Sequence, residues 1–337
     1  MKTVFFTQLP IFNKPGPLLD LVNERGLEVE WLGKYCPSGM KAGLKEKYEA
    51  LLAQAGNIEI LVPDLTPMDR KFFEAAKKLK LVASFGVGLD HIDLRAATEH
   101  GVLVTNVPGV NARSVAELAL AFMLCLARRV AWHNGNLLNG RWRPGIGTQI
   151  SGKTLGIVGM GNIGQELAKL CASFNMRLLA ANRTPRPDIA EKLGITQLPL
   201  ETVLREADFV SLHIPGGSDS WHFGAGEFAL MKPGACLINT ARGGLVDLDA
   251  LTEALQEGRL AGAGLDVFPE EPMNLSHPLF SLETVVLTPH VGGTTHEAWY
   301  GQAVSCFDEC ARLSGKQRSI NSRNKEVYDL PGWKGFI

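Results

Sequence analysis

The sequence predicts an α/β protein built from two doubly wound parallel-sheet domains, and three observations carry that prediction. Short β-rich runs alternate with longer helical stretches along the chain: TVFFT, IEILV, LVASF and VLVTN early, then TLGIVG, RLLAA, FVSLHI, ACLINT, GAGLDV and TVVLTPH. Such alternation puts helices on both faces of parallel sheets. A length of 337 residues with 45% hydrophobic content buries a sizeable core and suits about two domains. Finally, Ser114 to Trp142 is strongly apolar and free of proline, which predicts one long helix or two, bridging an N-terminal αβ unit to a second unit starting near Gly152. Its apolar face reads either as core or as a surface covered by a second subunit.

Taken in chain order, MKTVFFTQLPIFNKPG reads as a first buried strand. Its apolar run is broken by Pro10 and Pro15 and is too short for a secretory segment or a membrane span. No repeat, low-complexity tract or Gly/Ser linker follows, so a domain boundary must lie within continuous αβ structure. With 34 basic and 35 acidic residues the chain has no net field to draw it to nucleic acid or an anionic membrane. The six cysteines (Cys36, Cys125, Cys171, Cys236, Cys306, Cys310) are scattered through apolar segments, which argues for free thiols in a reducing cytoplasm. Cys306 and Cys310 share a helix face but lack nearby ligands, so no metal site is expected.

TLGIVGMGNIGQELAKLCASF reads as strand, glycine turn and helix. Gly159 permits the tight turn, Gly161 lets the backbone approach a pyrophosphate, and Gly164 lets helix and strand pack closely; the helix N-terminus adds amides and partial positive charge. A glycine-rich turn with no ligand is the bland alternative, but the strand–turn–helix–strand context favours a dinucleotide. After the next strand the chain reads AANRTPRP, where an Asp or Glu on the adenosine ribose is usual. Asn182 removes a charge that would repel a 2′-phosphate, Arg183 offers a planar cation, Thr184 a hydroxyl and Arg186 a second charge. The competing reading of this stretch is a solvated basic loop.

In open α/β sheets ligands bind outside the carboxyl ends of the strands. ACLINTARGGLVD puts Arg242 just past a strand, GAGLDVFPEEP puts Asp266 at a strand end with Glu271 five residues on, and TVVLTPHVGG puts His290 at another end. Singly these are an ion pair, an acidic turn and a hydrogen-bonding histidine. Together they supply a carboxylate clamp, a proton donor and an acid to hold that donor charged. None of the other seven histidines has such company.

These stretches, with ASFGVGLDHIDL, TNVPGVNARSVAELAL and LMKPGACLINTARGGLVD, make the chain resemble the D-isomer-specific 2-hydroxyacid dehydrogenases in order from about Leu79 to His296. The resemblance implies that Arg242, Glu271 and His290 act together, with Asp266 beside the nicotinamide. It implies that the Val87 and Gly88 amides and Arg242 hold the substrate, with Asn111 nearby. Cofactor contacts are then expected at Gly159, Gly161, Asn162, Ile163 and Gly164, at Asn182, Arg183 and Thr184, and at His213, Thr240, Ala241, Asp266, His290 and Gly292.

The resemblance further implies two Rossmann/flavodoxin-like domains: a discontinuous substrate domain of residues 1–102 and 292–337, and an inserted cofactor domain of residues 103–291. The helices near residues 111–142 would dimerise the chain, and the crevice between the domains would be the active site. There a small 2-oxo acid would be reduced by hydride transfer, His290 giving the proton, with NADP(H) favoured over NAD(H).

Two departures qualify this. His213-Ile214-Pro215-Gly216-Gly217-Ser218 stands where relatives often read PLT, and Val62-Pro63-Asp64-Leu65-Thr66-Pro67 has no cation before Arg70. The second argues against a phosphorylated substrate, although Arg113 offers another cation, and glyoxylate or hydroxypyruvate becomes the expected substrate class. The alternatives are an NAD-dependent phosphoglycerate-type dehydrogenase and a non-catalytic, dinucleotide-sensing corepressor.

Overall fold

The computed structural model describes residues 1–6, 16–31, 43–217, 220–334 and 336; Pro10, Pro15, Cys36 and Ser218, singled out above, lie outside them. The chain divides into two compact units, one of Met1–Val110 with His296–Ile337 and one of Asn111–Thr295.

The first unit opens with β1 (Lys2–Phe6), α1 (Gly16–Glu24), β2 (Glu28–Trp31), α2 (Leu44–Gln54), β3 (Ile60–Pro63), α3 (Arg70–Ala75), β4 (Leu81–Ala83), α4 (Leu94–Glu99) and β5 (Leu103–Thr105). Its parallel sheet has the order β2-β1-β3-β4-β5. The strands alternate strictly. Val4, Phe6, Leu61, Val82 and Val104 enter one core, and Phe5, Ile60, Val62, Leu81 and Leu103 enter the core on the opposite face. Short helices here start on aspartates: Asp69 accepts from Phe72 N at 2.9 Å and Asp93 from Ala96 N at 2.8 Å.

β5 corrects the boundary expected near Val102. Leu103 pairs with Leu81 and Thr105 with Ala83, so this strand belongs to the first sheet and the first unit runs on to Val110.

The second unit begins with α5 (Ala112–Arg128) and α6 (Val130–Leu138), so the apolar stretch is two helices, broken where Arg129 adopts a left-handed φ of 52°. Ala116, Ala119, Phe122 and Met123 of α5 are buried in the unit's own core. There follow β6 (Thr154–Val158), α7 (Asn162–Ala172), β7 (Arg177–Ala181), α8 (Pro187–Leu193), β8 (Thr196–Gln197), α9 (Leu200–Glu206), β9 (Phe209–Leu212), α10 (Ala225–Leu230), β10 (Cys236–Asn239), α11 (Leu248–Gln256), β11 (Gly262–Leu265) and β12 (Val285–Leu287). The parallel order is β12-β11-β10-β9-β6-β7-β8. From β6 the chain winds first toward β8 and then, from β9, toward β12. The reversal between β6 and β9 is where such a sheet opens a crevice at its carboxyl edge.

α12 (His296–Ser314) returns to the first unit, burying Ala303, Cys306, Phe307 and Cys310 with Phe5 and Leu81. Cys125, Cys171, Cys236, Cys306 and Cys310 are free thiols. No helix among the described residues is long and apolar enough to cross a membrane.

Candidate active site

The glycine turn occupies the point of reversal in the second sheet. Gly159 has φ 103°, and a Cβ there would lie 2.5 Å from the His213 carbonyl oxygen at the end of β9, so only glycine lets the two strand ends come this close. A Cβ on Gly164 would collide with the Gly159 carbonyl, whereas one on Gly161, the residue before α7, would meet nothing within 4 Å. Asn162 and Ile163 open α7, their amides in its first turn. Tight packing inside and open space outside is the cradle that a pyrophosphate requires.

Two polar atoms just past the neighbouring strands β9 and β10 are buried and unpaired. His213 Nδ1 and Thr240 Oγ1 have no hydrogen-bond partner among the described residues, although the great majority of buried polar atoms do. Burial pushes the His213 imidazole down to about 3, and its Nε2 lies 2.9 Å from Ser211 Oγ. The ring is therefore neutral at physiological pH and contributes hydrogen bonding, not charge.

Asn182, at the end of β7, is half-buried and accepts from Met160 N inside the glycine turn at 3.1 Å, while its amide donates to the Thr184 carbonyl. It ties the glycine turn to the following loop. Arg183, Thr184 and Arg186 are exposed, so the loop presents its cations to solvent beside the helix that would hold the phosphates.

The loop after β12 is held by Asp266, which directly follows β11 and is 1% exposed. Its carboxylate accepts from Thr288 Oγ1 at 2.5 Å, Val291 N at 2.8 Å and Gly292 N at 2.7 Å. Its carbonyl accepts from His290 N at 2.7 Å. These bonds hold His290 at φ 54°, a conformation a non-glycine residue keeps only when its surroundings impose it. His290 Nδ1 lies 2.7 Å from Glu271 Oε2, and the other Glu271 oxygen accepts from Phe268 N at 3.0 Å. The imidazole is 41% exposed, and Nε2 has no partner among the described residues. Asn111 packs its side-chain amide against Gly293, in the same loop.

Arg242 follows β10, next in the sheet to β11. Asn239, 1% exposed, donates to the Arg242 carbonyl at 2.9 Å and accepts from Ala241 N at 3.0 Å, fixing the turn that launches the arginine. Arg242 Nη1 donates to the Ala241 carbonyl at 2.7 Å, and its stem lies against Gly216. A Cβ on Gly243 would overlap the Phe268 carbonyl and Pro269 N, so glycine brings the Arg242 turn against the segment that carries Glu271. Arg242, Glu271 and His290 thus follow three successive neighbouring strands at one edge. A cation, a carboxylate-paired imidazole and a dinucleotide cradle suit binding of a carboxylate or carbonyl with proton transfer. A cavity of about 300 Å³ in this unit, lined by Trp132, Phe209, Cys236 and Val286, lies at the amino ends of the strands and includes none of these residues.

In the first unit the Val87 and Gly88 loop follows β4. Val87 is exposed, and its carbonyl accepts from Asn106 Nδ2 at 2.6 Å. Lys47, on α2, was not signalled by the linear reading of the loop after β3. It is 7% exposed and its Nζ lies 2.7 Å from Asp64 Oδ2. A cation does reach that loop, yet Asp64 neutralises it. Arg113, the other candidate for a charged substrate tail, pairs with Glu117 at 2.7 Å and Glu166 at 3.5 Å. Asn239 and Asn106 were also missed. Asn239 ends β10 just before the proposed contacts Thr240 and Ala241, a faint signal in sequence, whereas Asn106, just past β5, has no such neighbour.

The model of the D-isomer specific 2-hydroxyacid dehydrogenase NAD-binding domain matches residues 120–292. A Thermococcus litoralis protein named glyoxylate reductase is 44% identical over 288 residues, covering 82% of this chain and 87% of that protein. An Archaeoglobus fulgidus protein named D-3-phosphoglycerate dehydrogenase is 37% identical over 83% of this chain, which spans 52% of that relative. The crystal structure of the TT0316 protein from Thermus thermophilus matches with a TM-score of 0.83 at 38% identity, covering 96% of this chain and 100% of that one.

Proposed function

Because this chain belongs to the D-isomer specific 2-hydroxyacid dehydrogenase family, we propose that it reduces a small 2-oxo acid of the glyoxylate or hydroxypyruvate class, preferring NADP(H) to NAD(H). The family makes it an oxidoreductase that binds a nicotinamide dinucleotide; substrate, cofactor preference and residue roles are the proposal. The observation that carries it is the His290–Glu271 pair at 2.7 Å, which commits Nδ1 and leaves Nε2 for a substrate.

When bound, the reduced dinucleotide supplies the hydride. Gly159, Gly161 and Gly164 with the Asn162 and Ile163 amides would hold its pyrophosphate, Asn182, Arg183 and Thr184 its adenosine end, and Thr240, Ala241 and Gly292 its remaining contacts. His290 holds a proton on Nε2 and passes it to the substrate oxygen as the carbonyl becomes a hydroxyl. Glu271 fixes the tautomer by accepting Nδ1–H and stabilises the charged ring. Arg242 orients the acid and steadies negative charge growing on that oxygen. The Val87 and Gly88 amides are assigned to the substrate carboxylate, and Asn111 to a further substrate contact. Asp266 serves by holding the His290 loop, its carboxylate being engaged there.

The paired Lys47 and Arg113 support a small uncharged tail over a phosphorylated one. Exposed Leu137, Leu138, Trp142 and Ile146, close together in sequence, support a homodimer, and the free thiols support a cytoplasmic location. Steady-state assays of a 2-oxo acid panel with NADPH and NADH test the reading. Glyoxylate or hydroxypyruvate with NADPH should give the highest kcat/KM; a phosphorylated acid with NADH in that place, or no turnover on any acid, sinks it.

A further inference from the structure

We propose that Arg323, in the C-terminal segment of the first unit, is a positioning residue for the substrate carboxylate, acting on the Gly88 amide through Asn106 and the Val87 carbonyl. The inference rests on the reading of Val87 and Gly88 as carboxylate contacts and assigns them a support.

The C-terminal segment runs along the edge of the sheet beside β5. Ser322 bridges Thr105 in antiparallel fashion, and Arg323 N donates to the Val104 carbonyl at 2.9 Å. Asn324, 4% exposed, accepts from Val104 N at 2.8 Å and donates to the Val102 carbonyl at 2.9 Å and Thr98 Oγ1 at 3.0 Å. With its backbone fixed on both sides, Arg323 reaches in from an open surface groove that Arg95, Glu99 and Glu326 also line. Its Nε donates to Asn106 Oδ1 at 2.6 Å, and Asn106 Nδ2 donates to the Val87 carbonyl, also at 2.6 Å.

Two consequences follow from elementary chemistry. A guanidinium has only donors, so Asn106 must turn its oxygen toward Arg323, and its amide nitrogen is thereby turned toward the Val87 carbonyl. Reversing the carboxamide would set donor against donor and acceptor against acceptor. Asn106 itself is 5% exposed, so it has no solvent to compensate either loss.

The Val87–Gly88 peptide is planar and trans, so its C=O and the Gly88 N–H point in opposite directions. Drawing the carbonyl toward buried Asn106 turns the Gly88 N–H away from the interior, toward the side where Val87 is exposed. Successive hydrogen bonds also polarise one another, so the guanidinium charge strengthens the Gly88 N–H as a donor to an anion. The Val107 N to Gly86 carbonyl bond at 3.1 Å pins the loop from its other end.

The test is Arg323→Met, with Arg323→Lys, Asn106→Ala and the double variant beside it. In Arg323→Met, the KM for glyoxylate and the inhibition constant for oxamate, an unreducible analogue, should rise together by about tenfold, while kcat and the NADPH KM stay within about twofold. Arg323→Lys should recover part of the loss. Adding Arg323→Met to Asn106→Ala should cost nothing more, since the relay is already cut. An unchanged acid KM, a parallel rise in the NADPH KM or additive losses would overturn the relay. Should the wild type reduce no acid, the functional reading fails on its own. Calorimetric titration of oxamate then decides the relay: tenfold weaker binding to Arg323→Met upholds it, and equal affinity, or none for the wild type, overturns it.

Discussion

Two loops of the seven-stranded sheet, one after β12 and one after β7, are built in opposite ways. The loop carrying His290 hangs on the buried Asp266, whose two oxygens take three hydrogen bonds from Thr288, Val291 and Gly292, and it holds a histidine in a left-handed conformation. The loop carrying Arg183 is exposed from Arg183 through Asp188, is tied to the glycine turn by the half-buried Asn182 and is joined to Gln197 by the Arg186 amide at 2.9 Å. Proton transfer demands an atom fixed to a fraction of an ångström, and only buried, satisfied polar groups can impose that. Choosing between two cofactors that differ by one exposed phosphate demands charge of the right sign, which a solvated loop supplies at little structural risk.

The sharpest way to break the contrast is at His290. His290→Ala should lower kcat by at least about a hundredfold, the scale of a positioned general acid, with the KM for NADPH little changed. Turnover near that of the wild type would take the proton-donor role from this residue. Asp266→Ala comes next. It strands the Val291 and Gly292 amides, so unfolding free energy should fall by about 3 kcal/mol, and kcat should fall by about tenfold as the imidazole loses its setting. An unchanged melting temperature would mean that the loop does not depend on the aspartate.

What the sequence disclosed follows the same division. Ten strands are legible as apolar runs, nine of them because they are buried on both faces and the half-buried β12 because its Val-Val-Leu run is wholly apolar. β2 and β8 were not, because Glu28-Val29-Glu30-Trp31 alternates charge at a sheet edge and Thr196-Gln197 is two residues long. Arg242, Glu271 and His290 stood out because strand ends in an open sheet converge. Their supports did not. Asn239, which holds the Arg242 turn through backbone two and three residues on, carries no mark beyond its place at a strand end, while Asn106 reaches the Val87 carbonyl and Lys47 of α2 reaches Asp64 across stretches close only in space. Asp266 was legible as a site residue, but its hydrogen bonds to residues more than twenty positions away were not.

The smallest expected effect lies in the exposed loop, where it sharpens the comparison most. Arg183→Ala should raise the NADPH KM by about tenfold, the worth of one charge-assisted contact near the surface, while leaving kcat and the NADH KM nearly unaltered. The selectivity follows from the arrangement: Asn182, not Arg183, ties the loop to Met160 N, so removing the guanidinium leaves the cradle for the pyrophosphate intact. A rise in both Michaelis constants would show that Arg183 shapes the loop itself. Rising salt should shrink the preference for NADPH proposed for the wild type, since an exposed charge pair is screened, and should leave the variant's cofactor ratio where it was. A preference for NADPH that survives both the substitution and high salt would move its origin from this loop to the buried part of the site.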